Sequence, residues 1–104
     1  MDKKRFPDKK AVEDQKADLT DADLSGADLS GADLTDADLH CANLEKANLE
    51  KANLSYAELS KANLDGANLK GADLNNAFMN GAVLTNADLP DDFDIDEPGH
   101  DKND

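Results

Sequence analysis

The chain has 104 residues and carries 24 Asp and Glu against 11 Lys and Arg, a formal net charge of −13. Ala and Leu make up 30 of its 40 hydrophobic residues, beside three Phe, one Tyr and no Trp, so there are too few large, shape-defining side chains for a conventional globular core, and the length leaves room for only one domain. The acidic balance argues against direct binding to nucleic acid or an anionic membrane, which need Lys and Arg to neutralise phosphate, and points to a protein partner with a basic surface.

Residues 1–16 open the chain. Met1-Asp2-Lys3-Lys4-Arg5-Phe6-Pro7 is basic, but no apolar stretch follows as a secretion signal requires. No later run approaches the roughly 20 apolar residues of a membrane span. The single cysteine, Cys41, has no partner for an internal disulfide. Together these features predict a cytoplasmic protein. Asp8 to Lys16 reads as a short helix entered through Phe6-Pro7, with Phe6, Ala11 and Val12 as its only apolar residues. It is expected to lie over the next segment as an N-terminal cap.

From Ala17 to Ala87 an Ala recurs every five residues without exception, giving fifteen units. Two residues after each Ala stands a Leu, from Leu19 to Leu89, except for Met79. Between them sits Asp or Asn in twelve units, and Glu58, Phe78 or Val83 in the rest. A period of five sprays Leu around an α-helix, so no helical face is apolar. In an extended chain Ala and Leu two apart share a face, and the next Ala stays inside only if the chain turns after each Leu. Each unit is therefore one short side and one corner, and a chain that keeps turning the same way winds into an all-β solenoid with Ala and Leu inside. Parity alone allows three sides or four. Gly26, Lys46 and Gly66, like Gly31, Lys51 and Gly71, recur at 20-residue spacing and favour four.

Pro90 ends the pattern. Phe93 and Ile95 alternate with Asp92, Asp94 and Asp96 and are expected to cover the last coil, ahead of a mobile polar tail at 97–104. The organisation read from the sequence is thus a cap at 1–16, a repeat domain at 17–91, and a C-terminal cap with an acidic tail at 92–104.

The tandem Ala-(Asp/Asn)-Leu-x-x units resemble the pentapeptide repeat family over residues 17 to 91. The resemblance implies a right-handed quadrilateral β-helix with 20 residues per coil. Fifteen units would make about 3.75 coils, a rod about 18 Å long at the spacing of paired strands. Some members resemble duplex DNA in width and charge and occupy the DNA groove of type II topoisomerases. The resemblance therefore offers DNA mimicry as one function, with a topoisomerase or a defence nuclease as the target. This chain shows neither the helical C-terminal dimerisation segment nor the interrupting loops of the topoisomerase-protecting members. The other reading is a rigid scaffold or docking module unrelated to DNA.

Charge marks one candidate surface. Residues 17–39 contain seven Asp and no base. Asp18, Asp23, Asp28, Asp33 and Asp38 fill five consecutive Asp/Asn positions, and with 20 residues per coil Asp18, Asp38 and Glu58 would stack in one column. Asx side chains at such positions also serve turns, so the choice is between a solubilising face and a selected acidic surface. Phe78 and Val83 displace Asp/Asn in consecutive units. With Phe93 they form a candidate apolar interface, either covered by the tail or available for an end-to-end homodimer. Tyr56 reads as a surface filler. Asp92-x-Asp94-x-Asp96 lacks the Gly and Glu of a calcium loop, and His40-Cys41 lacks the further ligands of a zinc site. No nucleophile, base and orienting group occur together and no phosphate loop is present, so neither a cofactor nor catalysis is expected.

Overall fold

The corners set the architecture. From Ala22 to Ala87 each Ala N–H donates to the C=O of the Leu (Met79 in one unit) three residues earlier, as from Ala22 to Leu19 and from Ala57 to Leu54, each at 3.0 Å. The residue before each Ala is left-handed at all fourteen corners from Asp21 to Asn86, with φ between 58° and 75°. Positive φ at the third turn position alone defines a type II β-turn, which favours Gly or Asn there. Five corners carry Gly and four carry Asp or Asn at Asp21, Asp36, Asn76 and Asn86; Cys41, Lys46, Lys51, Tyr56 and Lys61 fill the rest.

The computed structural model describes residues 1–91 and residue 93. Among these, ten isolated parallel bridges run from Asp23↔Asn43 to Asn68↔Asp88, each joining residues 20 apart. Four units therefore complete one coil, and the three-sided alternative is excluded. The bonding is uniform: Leu24 N–H donates to the Asn43 C=O, and Asn43 N–H to the Ala22 C=O, both at 2.8 Å. The corners stack too, with Lys46 N–H on the Asp65 C=O at 2.8 Å. Turns consume so much of each unit that only the Asp/Asn position bridges. Among the described residues the sides are single bridges rather than strands.

Inside, the leucines from Leu19 to Leu69 are at most 1% exposed, and among the described residues no polar side chain is buried. Each buried Leu contributes roughly 1.5–3 kcal/mol. Towards the far end Leu74, Ala82, Leu84, Ala87 and Leu89 are only half-buried, with Phe93 packed against the same core. Met79 occupies its Leu position at 7% exposure, the volume being conserved.

One inward expectation fails. Ala17 is exposed. Asp38 N–H, which the ladder would place on the Ala17 C=O, donates instead to the Lys16 C=O at 2.8 Å, while Asp18 N–H donates to the Gln15 C=O. The chain leaves its preceding turn one residue out of register, so Ala17 loops out. The register recovers at Leu19, whose N–H reaches the Asp38 C=O.

Ahead of the coils, α1 (Lys9–Asp14) starts at Asp8, whose side chain accepts from Ala11 N–H and satisfies a free helix donor. Phe6 and Val12 are fully buried in the core cluster, and Arg5 lies 4.7 Å over the Phe6 ring. The segment also closes the first coil's open edge. Asp2 N–H donates to the Asp23 C=O at 3.0 Å, Asp33 N–H to Glu13 Oε2 at 2.8 Å, Arg5 Nη2 to the Asp18 C=O at 2.6 Å, and Lys9 Nζ to the Ser30 C=O. Polar groups thus stand where another coil would pair.

Candidate interaction surfaces

The first candidate surface is the acidic first coil. Asp23, Asp28 and Asp33 lie on three successive sides, and Asp38 begins the next coil's pairing with Glu58. The five aspartates therefore ring the rod and do not share one face. In the expected column Asp38 and Glu58 bridge directly, while Asp18 is held over Asp38 by one ladder bond, from Leu19 N–H to the Asp38 C=O.

Four of these five carboxylates, all but Asp18, have local work. Asp23 Oδ1 accepts from Ser25 N–H at 3.1 Å and from its hydroxyl at 2.7 Å. The same two-residue reach recurs at Asp28, Asp33 and Asp38. Asn43 and Asn53 do it without charge, and Glu58 reaches Ser60 N–H at 2.9 Å. These bonds favour the ionised form. Hydrogen bonds from Ser25, Ser30 and Thr35 hold Asp23, Asp28 and Asp33 below the ordinary carboxylate value. Ser60, with a smaller contribution from His40, does the same for Glu58.

The N-terminal segment takes up much of this charge. The Met1 ammonium lies 3.4 Å from Asp23, and Lys16 Nζ lies 3.2 Å from Asp33. Lys9, bound at the Ser30 C=O, lowers Asp28 further. Reading charge segment by segment missed this pairing. The available signal was the +2 balance of residues 1–16 directly before a stretch of seven Asp and no base.

The second candidate surface lies near the other end. Phe78 and Val83 are 52% and 43% exposed, on adjoining sides of one coil. Phe93 packs half-buried against the core with its N–H on the Pro90 C=O. Ile95 and residues 97–104 lie outside the described residues, as do Asp92, Asp94 and Asp96. The ladder stops at the neighbouring corner. Lys51 N–H donates to the Lys70 C=O, but Gly71 N–H makes no matching bond to Pro90. A wide cleft of about 600 Å³ opens between Lys70–Asp73 and Pro90-Asp91. Among the described residues no three metal-ligating side chains converge, and no helix is long and apolar enough to cross a membrane.

A family model for pentapeptide repeats matches eight copies across residues 17–55, 36–71 and 62–91. The chain belongs to the pentapeptide repeat family. That family is defined by a repeat and not by a catalytic centre. Among solved structures, a pentapeptide repeat protein from the Arabidopsis thaliana thylakoid lumen is 41% identical over 74% of this chain and 54% of its own, with a TM-score of 0.68. Another, from the cyanobacterium Cyanothece 51142, is 40% identical over 64% of this chain and 53% of its own, with a TM-score of 0.58. This chain thus matches about half the length of each. Both carry the family's right-handed quadrilateral β-helix, which agrees with the 20-residue register found here. No curated protein matches the sequence at a significant level.

Proposed function

We propose that this pentapeptide repeat protein is a non-catalytic binding protein that imitates duplex DNA on the DNA-binding surface of a DNA-handling enzyme, a type II topoisomerase or a defence nuclease. The observation that carries this reading is a narrow acidic rod. Two of its principal extents are 20 and 19 Å, close to the width of a B-form duplex, and its net charge is −13. Carboxylates fixed by short hydrogen bonds on a rigid frame can take the place of backbone phosphates in front of Lys and Arg. At about 3.75 coils the repeat covers roughly five base pairs, a short footprint. The cytoplasm is the compartment that suits this role and the unpaired Cys41 thiol.

The test is competition with labelled duplex for a type II topoisomerase at low salt. Wild type is expected to displace duplex. Changing Asp18, Asp28, Asp33 and Asp38 to Asn, which keeps the turn acceptor at the last three, should weaken displacement and flatten its salt dependence. Failure of wild type to displace duplex refutes mimicry. The alternative, a docking module unrelated to DNA, is favoured by the exposed Phe78 and Val83. It predicts partner binding that is nearly insensitive to salt.

A further inference from the structure

Two corners of the rod place glycine directly after a side chain able to close a ring with the main chain, Asp65-Gly66 and Asn80-Gly81. They are built alike. Both glycines are left-handed, with φ of 71° and 75°. Ala67 N–H closes one turn on the Leu64 C=O and Ala82 N–H closes the other on the Met79 C=O, each at 3.0 Å. The Asp65 and Asn80 carbonyls accept from Lys46 and Lys61 N–H at 2.8 and 2.9 Å. One bond separates them. Gly66 N–H donates to the Thr85 C=O at 2.8 Å, whereas Gly81 N–H, on the last coil, meets no acceptor among the described residues. Asn80 and Gly81 are both exposed to water.

An asparagine loses its side-chain amide when the next residue's backbone nitrogen sheds its proton and attacks Cγ. Glycine leaves that nitrogen unhindered, because it has no Cβ. A nitrogen whose proton is held in a ladder bond must first break that bond. The other asparagines fail one condition or the other. Those at the Asp/Asn position, Asn43 to Asn68, each precede a Leu whose N–H is in the ladder, as Leu44 is on the Asn63 C=O at 2.7 Å. Their own Oδ1 atoms also accept from the residue two ahead, as at Asn43 and Asn63. Asn76 and Asn86 precede Ala77 and Ala87, whose N–H groups close turns at 3.1 Å. Asn75 precedes Asn76, whose Cβ crowds the nitrogen. Among the described residues Asn80 alone meets both conditions.

We propose that Asn80 is a site of spontaneous deamidation. The Gly81 nitrogen gives its proton to hydroxide and bonds to Asn80 Cγ. The Cγ–Nδ2 bond breaks, and the nitrogen takes a proton from water and leaves as ammonia, which restores the hydroxide. Water then opens the resulting succinimide at either carbonyl, giving aspartate or isoaspartate. Both products set a carboxylate on the corner between the side that carries Phe78 and the side that carries Val83, the exposed apolar pair. In isoaspartate the main chain runs on through Cγ, so the carbonyl that Lys61 N–H holds leaves the main chain. The site is independent of DNA imitation. It alters with age the apolar corner on which the docking alternative stands.

The experiment uses the full chain and its Asp65→Asn variant, which sets an Asn-Gly pair at both corners in closely similar sequence, before Ala67 and Ala82 and after Leu64 and Met79. Each protein is kept in mildly alkaline buffer, folded or unfolded in urea. Peptide mapping by mass spectrometry follows the gain in mass from amide to carboxyl, and an isoaspartyl methyltransferase counts isoaspartate. In the folded variant, position 80 should convert at least about tenfold faster than position 65, which must first open its ladder bond. In urea the two positions should convert alike. In wild type, folding should slow conversion at Asn80 by less than about tenfold, because no ladder bond has to open. Equal folded rates at the two positions, or greater protection of wild-type Asn80 than that, overturns the assignment.

Discussion

The left-handed corner at Gly71 offers a direct measure of coil-on-coil packing. Gly31, Lys51 and Gly71 occupy one corner column, and their φ angles are 67°, 60° and 70°. A Cβ added at Gly31 meets nothing within 4 Å, whereas one at Gly71 meets Lys51 Cγ at 3.1 Å. Gly31→Ala therefore reports the backbone alone. Left-handed geometry costs an L-residue about 1–2 kcal/mol, offset by about 0.4–1 kcal/mol from a stiffer unfolded chain, for a net loss of about 0.5–1 kcal/mol. Gly71→Ala adds the displacement of Lys51, about 0.5–1.5 kcal/mol for a side chain pushed off its rotamer. In a chain of this size each kcal/mol moves Tm by about 4–8 °C, so Gly71→Ala should melt several degrees below Gly31→Ala. In a Lys51→Gly background, which has no Cγ, that excess should vanish. Thermal melts followed by circular dichroism on the four proteins decide the matter. If Gly71→Ala melts no lower than Gly31→Ala, or Lys51→Gly leaves the gap open, the coils do not pack at their corners as described.

Leu54→Asp places a carboxylate at a fully buried central position and should cost about 5 kcal/mol or more, from lost packing and an unpaired buried charge; an unchanged melt would contradict the inward assignment of Leu. The lowered Asp23, Asp28 and Asp33 carboxyls make folding weaken in acid. Their stabilisation is complete above the ordinary value of 3.8 and is lost as pH falls through the lower folded-state values. Asp23→Asn/Asp28→Asn/Asp33→Asn keeps the acceptors without the titration, so its Tm should fall less than that of wild type between pH 5 and 2, as followed by acid titration of the melt; parallel curves would refute the hydrogen-bond explanation.

The five-residue period made the inward Ala and Leu legible because parity and turning leave few alternatives. The twenty-residue coil was partly legible through Lys46 and Gly66, and the structure supplies the reason: Lys46 Cγ lies 3.3 Å from where a Gly66 Cβ would be. The left-handed corners were harder to see. Nine of the fourteen carry Gly, Asp or Asn, but Lys46, Lys51, Tyr56, Lys61 and Cys41 are poor αL formers held there by the ladder. Ala17 escaped because register at the entry depends on which C=O receives Asp38 N–H, a choice made by the preceding turn and not by the repeat. Of the candidate surfaces, sequence alone located Phe78 and Val83 and set Tyr56 aside. Only the coil register shows Tyr56 one coil from Phe78's side, at the corner away from Val83.

The twenty-residue register also governs how such a surface can be inherited. Inserting or deleting one five-residue unit leaves every turn and every inward Ala and Leu intact, so folding tolerates it. The outer surface does not stay in place, because everything downstream is rotated by a quarter turn relative to everything upstream. One extra unit between Glu58 and Phe78 would carry Phe78 and Val83 each to the next side and part Phe78 from Tyr56, with no exposed residue changed. Only gains or losses of four units preserve the alignment of one side along the rod. In this fold, length is counted in fives by the core and in twenties by whatever the surface recognises.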